Sequence, residues 1–467
     1  HPRIMENGDI LALKKDFSRL PRFVRISAEG EEIIYIPGKL SFERFSFAKD
    51  WIVWSEVKPD LRWDNRSYSV IKMYNIREGF ERTLTEKTRM FAPDMSDDGQ
   101  RLAVIQVTQE SEYRLVVLDT ENGWIQKRFT HPENIFMQQP VWSADGEHIF
   151  VIGTSEEGKG IYRVNYDSGE WKQVLKPSFR EIQHLSAGRD HLYFKAALDH
   201  KEEICALDHS GEGLYRVTRS QVNASDVYFS GASNIIVYAN FESEGYNLFK
   251  KKVDTAAFEL IEKQYDVDNQ MIRSLREEED QLFYSDDIPN QQYKTSPYRK
   301  WKNLFHFHSW APLYMDYNIN QKSISDVSPG VTLFSQNLLS TALTTLGYSY
   351  QSGTHQFHSQ FIYKGWYPVF KISTNYGGKP EVIRYSSVDW APELSNDYMN
   401  FNASVSMPVN FTDSKYITGL VPSVEYEYDR DFYHNFRENY YLRGLKTIDY
   451  NFWFYHYQRM AHRDLQP

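Results

Sequence analysis

The strongest constraint on the fold is a hairpin motif that keeps returning. "SDDGQRLAVI" begins at Ser96 and "SADGEHIFVI" at Ser143. Each has a serine, a short acidic-glycine turn and a run of β-formers. Asp-Gly and Asn-Gly pairs supply the positive φ that tight hairpin turns demand. Further copies are "MENGDILAL" at Met5, "SFAKDWIVWS" at Ser46, "SAGRDHLYFK" at Ser186, "SGASNIIVYA" at Ser230 and a degenerate "REEEDQLFYS" at Arg276. Their fourth residues fall at 8, 49, 99, 146, 189, 233 and 279, so the intervals run from 41 to 50 residues.

The interior of each period is also β. A third strand follows the hairpin, as in "EYRLVVLDT" (112–120) or "KGIYRVNYD" (159–167), and a fourth ends near threonine, as in "ERTLT", "QKRFT" and "LYRVT". Four strands per period of this length, repeated, is the pattern of a β-propeller with one sheet per blade. Seven hairpins start, but the last runs out after "QLFYSDD" with no third or fourth strand. Six or seven blades are expected, with closure involving residues beyond this chain, because a ring closes to remove exposed sheet edges.

Composition divides the chain. Up to Thr295 there are 38 Lys+Arg against 49 Asp+Glu; beyond it the balance is 15 against 14. Aromatic residues rise from 37 in the first 295 positions to 36 in the last 172. The polar, proline-flanked "IPNQQYKTSP" marks the change. The boundaries expected are a propeller over 1–288, a linker and lead-in over 289–325, and a second β domain over 326–467. The acidic first part argues against nucleic acid as a partner. One cysteine, Cys205, excludes an internal disulfide framework and a cysteine-rich zinc site. No stretch of 18 apolar residues encodes a membrane helix, which leaves a membrane β-barrel open. The opening "HPRIMENGDI" has no basic n-region or apolar h-region and no initiator methionine, as expected of a processed or truncated start, and leaves export open.

The second domain alternates over long spans. In "YMNFNASVSMPVNFT" (398–412) Met399, Phe401, Ala403, Val405, Met407, Val409 and Phe411 share one face, and Asn400, Asn402, Ser404, Ser406, Pro408 and Asn410 the other. "GLVPSVEYEYD" (419–429) repeats the pattern. Such lengths exceed most globular strands and suit tilted membrane strands with aromatic girdles; Trp366, Tyr367, Tyr440 and Tyr441 fit the girdles. Seven strands are expected, near 331–337, 339–350, 355–364, 367–376, 398–411, 416–428 and 441–457. A barrel of seven is incomplete, since lipid offers nothing to an open edge. A soluble sandwich with one wet face is the alternative.

Two motifs carry a resemblance. "FAPDMSDDG" (91–99) and "PVWSADGEHI" (140–149) look like the repeat of TolB-type β-propellers. "SEVKPDLRWDNRSYSVIKMY" (55–74) resembles a segment of large Gram-negative envelope proteins in which such a propeller precedes an outer-membrane barrel. Some of those relatives carry a zinc-peptidase-like domain ahead of the propeller. No H-E-x-x-H occurs in this sequence, so the resemblance transfers no peptidase activity. The fold class expected is therefore all-β, a TolB-like propeller of six or seven blades followed by an incomplete antiparallel barrel.

Chemistry-bearing motifs are sparse. There is no nucleophile elbow, P-loop or dinucleotide loop. His306 and His308 in "FHFHSW" could share a strand face but lack a third ligand, and Asp266 and Asp268 lack the glycine and distal glutamate of a calcium loop. No cofactor or metal is expected. The most specific segment is "PDLRWDNRSYS" (59–69), which gathers Asp60, Arg62, Trp63, Asp64 and Arg66. Arg and Trp are favoured interface anchors, and Arg grips carboxylates with two donors. Asp60, Arg62, Trp63 and Arg66 are the candidate binding residues; pairing of Asp60 with Arg62 or Arg66 inside the loop is the plainer reading.

The functional expectation is a non-enzymatic interaction platform anchored in the outer membrane, with outer-membrane lipid and envelope proteins as partners and the propeller in the periplasm or at the cell surface. The alternative is the accessory part of an envelope hydrolase or peptidase whose catalytic domain lies outside this chain. A soluble carbohydrate- or peptide-binding propeller with a β accessory domain is a third, weaker possibility.

Overall fold

A computed structural model describes residues 2–198 except 17, 201–261, 274, 293–318, 323–378 except 352, 382–383, 398–434 and 441–458. The chain divides into two compact units, one formed by His1–Tyr284 with Thr412–Ile417 and Tyr457–Pro467, the other by Ser285–Phe411 with Thr418–His456.

Six antiparallel sheets make up the first unit, over residues 2–35, 40–83, 90–130, 136–178, 182–216 and 223–252. The innermost strands are Pro2–Ile4, Leu40–Ala48, Met90–Met95, Phe136–Trp142, Ile182–Ala187 and Asn223–Ser230. Each packs against the next, and the sixth packs against the first, so six blades close a ring within the described residues. The seventh hairpin copy at Arg276 lies outside the described residues. Among the described residues no strand is shared between the first and last blades, each of which is built from one continuous stretch.

The second strands read as continuous apolar runs because both of their faces are buried between neighbouring blades. In "RLAVIQV", Leu102 and Val104 enter the core shared by blades two and three, while Ala103 and Ile105 enter the core shared by blades three and four. Every blade interface has such a core. The largest, between blades four and five, holds 14 buried residues. The smallest, between blades six and one, holds four: Ile10, Ala12, Val24 and Val237. The acidic turns between first and second strands satisfy themselves. Asp98 Oδ1 accepts the Ser96 hydroxyl at 2.6 Å and the Gln100 N–H at 2.9 Å, and Gly99 takes φ of 76°.

Blade six departs from the pattern. Among the described residues it has three strands, ending with Gly245–Lys252, and the next strand, Glu259–Leu260, pairs instead with Leu214–Arg216 on the edge of blade five.

A buried charge cluster lies where blades one and two meet. The Lys72 side chain is fully buried, and its ammonium stands 2.5 Å from Glu81, 2.9 Å from Asp413 and 3.6 Å from Glu56. The Trp54 indole and the Gly38 N–H both donate to Glu56 at 3.0 Å. Burial raises the Glu56 carboxyl above its usual range, with Lys72, Trp54 and Gly38 offsetting part of the effect. Lys72 is itself buried, yet its pKa rises because the three carboxylates outweigh the desolvation. A Cβ at Gly38 would collide with the Ser414 carbonyl, so this approach requires glycine.

The second unit is one large sheet of ten strands. All seven expected spans carry strands: Ser323–Gln336, Ala342–Gln351, Thr354–Tyr363, Val369–Gly377, Met399–Ser406 with Val409–Asn410, Tyr416–His434 and Tyr441–Gln458. The sheet starts earlier than expected, at Phe307–Asn318, inside the segment read as lead-in. Register sorts the side chains by face. Tyr348, Phe357, Tyr376 and Met399 lie in one cross-strand row, and Tyr363, Phe370, Val405 and Val424 in another on the same face. The opposite face carries the rows His358–Asn375–Asn400–Asp429 and Gln360–Ser373–Asn402–Glu427.

Burial in this unit runs contrary to a soluble core. Trp310, Phe357 and Phe452 are 66%, 54% and 73% exposed, while Thr332, Ser335, Asn337, Ser349 and Thr354 are buried. No helix among the described residues is long and apolar enough to cross a membrane.

Candidate functional site

The 59–69 loop joins the strands Trp51–Pro59 and Ser67–Asn75 of blade two. Asp60 organises it. Its Oδ1 accepts the backbone N–H groups of Arg62 at 2.9 Å and Trp63 at 3.0 Å, and its Oδ2 accepts the Tyr68 hydroxyl at 2.8 Å. These bonds, the Arg62 N–H foremost, hold the Asp60 carboxyl below its usual pKa against the opposing effect of burial. The Arg62 guanidinium lies 4.8 Å from the Trp63 ring centre, and that of Arg66 lies 5.4 Å from Tyr68. The structure thus brings Asp60, Arg62, Trp63 and Arg66 into one small constellation. Asp60 is engaged in the loop's own turn and Arg62 is buried, whereas Leu61, Asp64 and Arg66 face outward.

A second constellation, which the sequence did not single out, fills the propeller axis. The innermost strands of blades three to six each break register, and in each break one non-glycine residue takes positive φ: Ala92 (50°), Gln139 (49°), His184 (58°) and Asp226 (55°). Such backbone costs about 1–3 kcal/mol per residue and persists only where the surroundings over-determine it. The bulges re-aim side chains toward the axis. Arg44 of blade two reaches across the ring, donating to Gln139 Oε1 of blade four at 3.2 Å and to the Leu185 carbonyl of blade five at 2.6 Å.

Inter-blade bonds continue round the ring. Ser46 Oγ accepts the Met95 N–H at 2.9 Å, Asp94 the Trp142 N–H at 3.0 Å, Gln139 Oε1 the His184 N–H at 2.6 Å, and Ser186 Oγ the Phe229 N–H at 3.0 Å. Arg3 completes the circuit through the Phe45 carbonyl at 3.0 Å and the face of Tyr228 at 4.7 Å. The axis is therefore filled by opposite charges and amides that largely satisfy one another, which makes the inner ring rigid.

His184 gives this ring a pH dependence. Its Nδ1 accepts the Asp226 N–H at 3.0 Å, so the ring proton sits on Nε2, 3.3 Å from Asp226 Oδ1. Burial lowers its pKa to about 4 from 6.5, with Lys195 and Arg44 adding to the effect and Asp226 opposing it. A histidine depressed in the fold contributes full stability above its unfolded pKa and loses it as pH falls toward the folded value. Between pH 7 and pH 5 the propeller should lose about 2 kcal/mol from this group. Urea midpoints at the two pH values, compared with those of His184→Asn, check this. An equal drop in the variant assigns the loss elsewhere.

Other candidates resolve plainly. His306 and His308 have ring centres 6.5 Å apart, and His308 Nδ1 lies 2.9 Å from the Ser309 hydroxyl. Asp266 and Asp268 lie outside the described residues. Asp145, Glu147 and His148 cluster at the blade-four turn, where Asp145 accepts the Ser143 hydroxyl and the Glu147 N–H. Cys205 is buried, which pushes its thiol up to about 12 and away from thiolate chemistry.

No family model matches the chain. A curated relative, "Uncharacterized peptidase YuxL" of Bacillus subtilis, is 30% identical over 147 residues, which is 31% of this chain and 21% of that protein. Among solved structures, TolB from Acinetobacter baumannii is similar at a TM-score of 0.43 and 15% identity, over 53% of this chain and 61% of that one. Putative TolB from Agrobacterium tumefaciens is similar at 0.38 and 12% identity, over 53% of this chain and 89% of that one. The chain thus spans about a fifth of the curated relative and less than two thirds of the Acinetobacter chain.

Proposed function

We propose that the chain is a non-enzymatic envelope protein whose propeller is a rigid surface for protein partners and whose second unit sits in the outer membrane. The observation that carries the membrane part is the contrary burial of the ten-stranded sheet. Phe357, Ile372, Tyr376, Val405 and Val424 stay exposed on one face, while the other face carries Asn400, Asn402, Glu425 and Glu427. In water such an apolar face is a liability. Against lipid it is the expected outer wall of a β-barrel with a polar interior. A spanning sheet has to close, so the edge strands Phe307–Asn318 and Tyr441–Gln458 would pair with each other or with further strands.

The platform part is supported by the hydrogen-bonded axial network that links the blades, which fixes the blade loops on a stiff support of the kind that binding surfaces use. The candidate contact residues are Arg66 and Trp63 on the blade-two loop, braced by Asp60 and Arg62. Flotation of the full-length protein with vesicles tests the membrane reading. Wild type should co-float, and Ile372→Arg should weaken insertion by about 2–4 kcal/mol, the cost of a basic side chain on the lipid face. A monodisperse full chain in detergent-free buffer that stays at the bottom of the gradient sinks the proposal.

The partial match to a peptidase favours a second reading, a propeller that serves a hydrolase's catalytic domain. Co-purification of a peptidase with this chain, and turnover of a fluorogenic peptide by that complex but not by the chain alone, would replace the first reading with this one.

A further inference from the structure

The outer edge of blade six is built as a strand acceptor. In the other five blades the third strand is covered by a fourth; among the described strands Gly245–Lys252 pairs only with Ile235–Glu242. The 3.0 Å bond from the Val253 N–H to the Asn234 carbonyl fixes the alternation of the ladder. Residues paired through even positions of Ile235–Glu242 bond inward, so Tyr246, Leu248, Lys250 and Lys252 turn their N–H and C=O groups to the open edge. Beside this edge lies a cleft of about 570 Å³ between blades five and six, lined by Arg216, Arg219, Glu242, Lys251 and Glu259 among others, with Arg219 paired to Glu259 at 2.6 Å.

The side chains define what fits. Along the edge, "GYNLF" is followed by Lys250, Lys251 and Lys252, of which Lys250 also donates to the Gly8 carbonyl at 3.2 Å and Lys251 to the Val217 carbonyl at 2.5 Å; Tyr246 is 62% exposed. A lysine run deters apolar or basic strands from an open edge and favours acidic ones directly opposite. Resting on the protein-binding reading above, we propose that blade six takes up an extended acidic segment of a partner protein by strand addition along Gly245–Lys252. An antiparallel guest would set its acidic residues opposite Lys250–Lys252 and its β-branched or aromatic ones opposite Tyr246–Phe249. The ladder supplies affinity and the alternate side chains supply selectivity.

The test uses the full-length protein in detergent and a fluorescein-labelled nine-residue peptide of four acidic residues followed by alternating valine and threonine. Saturable anisotropy that weakens with salt is expected. Lys250→Pro removes one outward N–H while leaving the inner ladder intact, and should weaken binding about tenfold. Lys250→Ala keeps that N–H while losing, like Lys250→Pro, the side-chain bond to the Gly8 carbonyl, so it controls for that loss and should weaken binding less. Lys250→Glu with Lys252→Glu should exchange the preference for that of a lysine-containing counterpart peptide. Three results overturn the proposal: no saturable binding, binding unchanged in Lys250→Pro, or binding only after residues 276–285 are deleted, which would make the occupant this chain's own segment. Concentration-dependent dimers that Lys250→Pro abolishes would assign the edge to a second copy and overturn it too. Vesicle flotation is unaffected by any of these outcomes, so the two proposals fail separately.

Discussion

Replacing Lys72 with methionine should lower the unfolding midpoint of the propeller by roughly 10 °C, the equivalent of about 3–5 kcal/mol. The substitution keeps much of the volume but leaves Glu56, buried to 2% exposure, and the partly buried Glu81 without their shared cation. Breaking one side of a buried ion cluster costs far more than the cluster contributes against an apolar replacement, because the remaining charge stays desolvated. Glu56→Gln should be milder, since burial already raises that carboxyl toward its neutral form and the amide can still accept from Trp54 and Gly38. Combining Glu56→Gln with Lys72→Met should recover part of the loss, a coupling that a double-mutant cycle measures. A Lys72→Met midpoint within about 2 °C of wild type, on the same scale, would show that the cluster is not held as described.

The second large effect is expected at Arg44. Its guanidinium is fully buried and joins blades two, four and five through Gln139 and the Leu185 carbonyl. Burial pulls its pKa down to about 10, so it remains charged at neutral pH, with Asp94 and Asp226 favouring the charge. Arg44→Met should cost about 3–5 kcal/mol by leaving those carboxylates short of positive charge and removing the guanidinium's bonds to Gln139 and the Leu185 carbonyl. Arg44→Lys should recover only part, because a single ammonium cannot replace the planar fork that spans both acceptors. Thermal unfolding with near-ultraviolet circular dichroism reads both variants. Equal stability of Arg44→Lys and wild type would argue that charge alone, and not the bridge, matters at the axis.

Much of the first unit was legible because a propeller writes its period into the chain. Ser96 and Ser143 hold the same turn in neighbouring blades, and "LAVI" and "IFVI" are apolar throughout since each serves two inter-blade cores. The axial network was not legible. Gln139, His184 and Asp226 precede the motif by a few residues, and their partners lie up to 95 positions away. The available signal was a non-apolar residue recurring at the same place in successive repeats, which reads as noise until the bulges align it. In the second unit, alternation located the strands from 331 onward except Val382–Ile383, and missed Phe307–Asn318. Pro312 falls there at a register break between Ala311 and Leu313, which interrupts the period of two. In the 59–69 loop, the residue types were readable, but the turn that commits Asp60 to the backbone depends on three dimensions.

The ring's seam also sets how it would come apart under load. Blades one and six meet through four buried side chains, the Lys250 bond to the Gly8 carbonyl at 3.2 Å and Arg3 stacked on Tyr228. The Glu259–Leu260 strand ties the far side of blade six to blade five, so the circle has a latch on one side and only a pressed joint on the other. A pull along the chain would reach that joint first, and blade one would peel away before the remaining five lose their shape. Over its described residues the propeller is in this sense a split washer: stiff around most of its circumference, with its compliance confined to one gap.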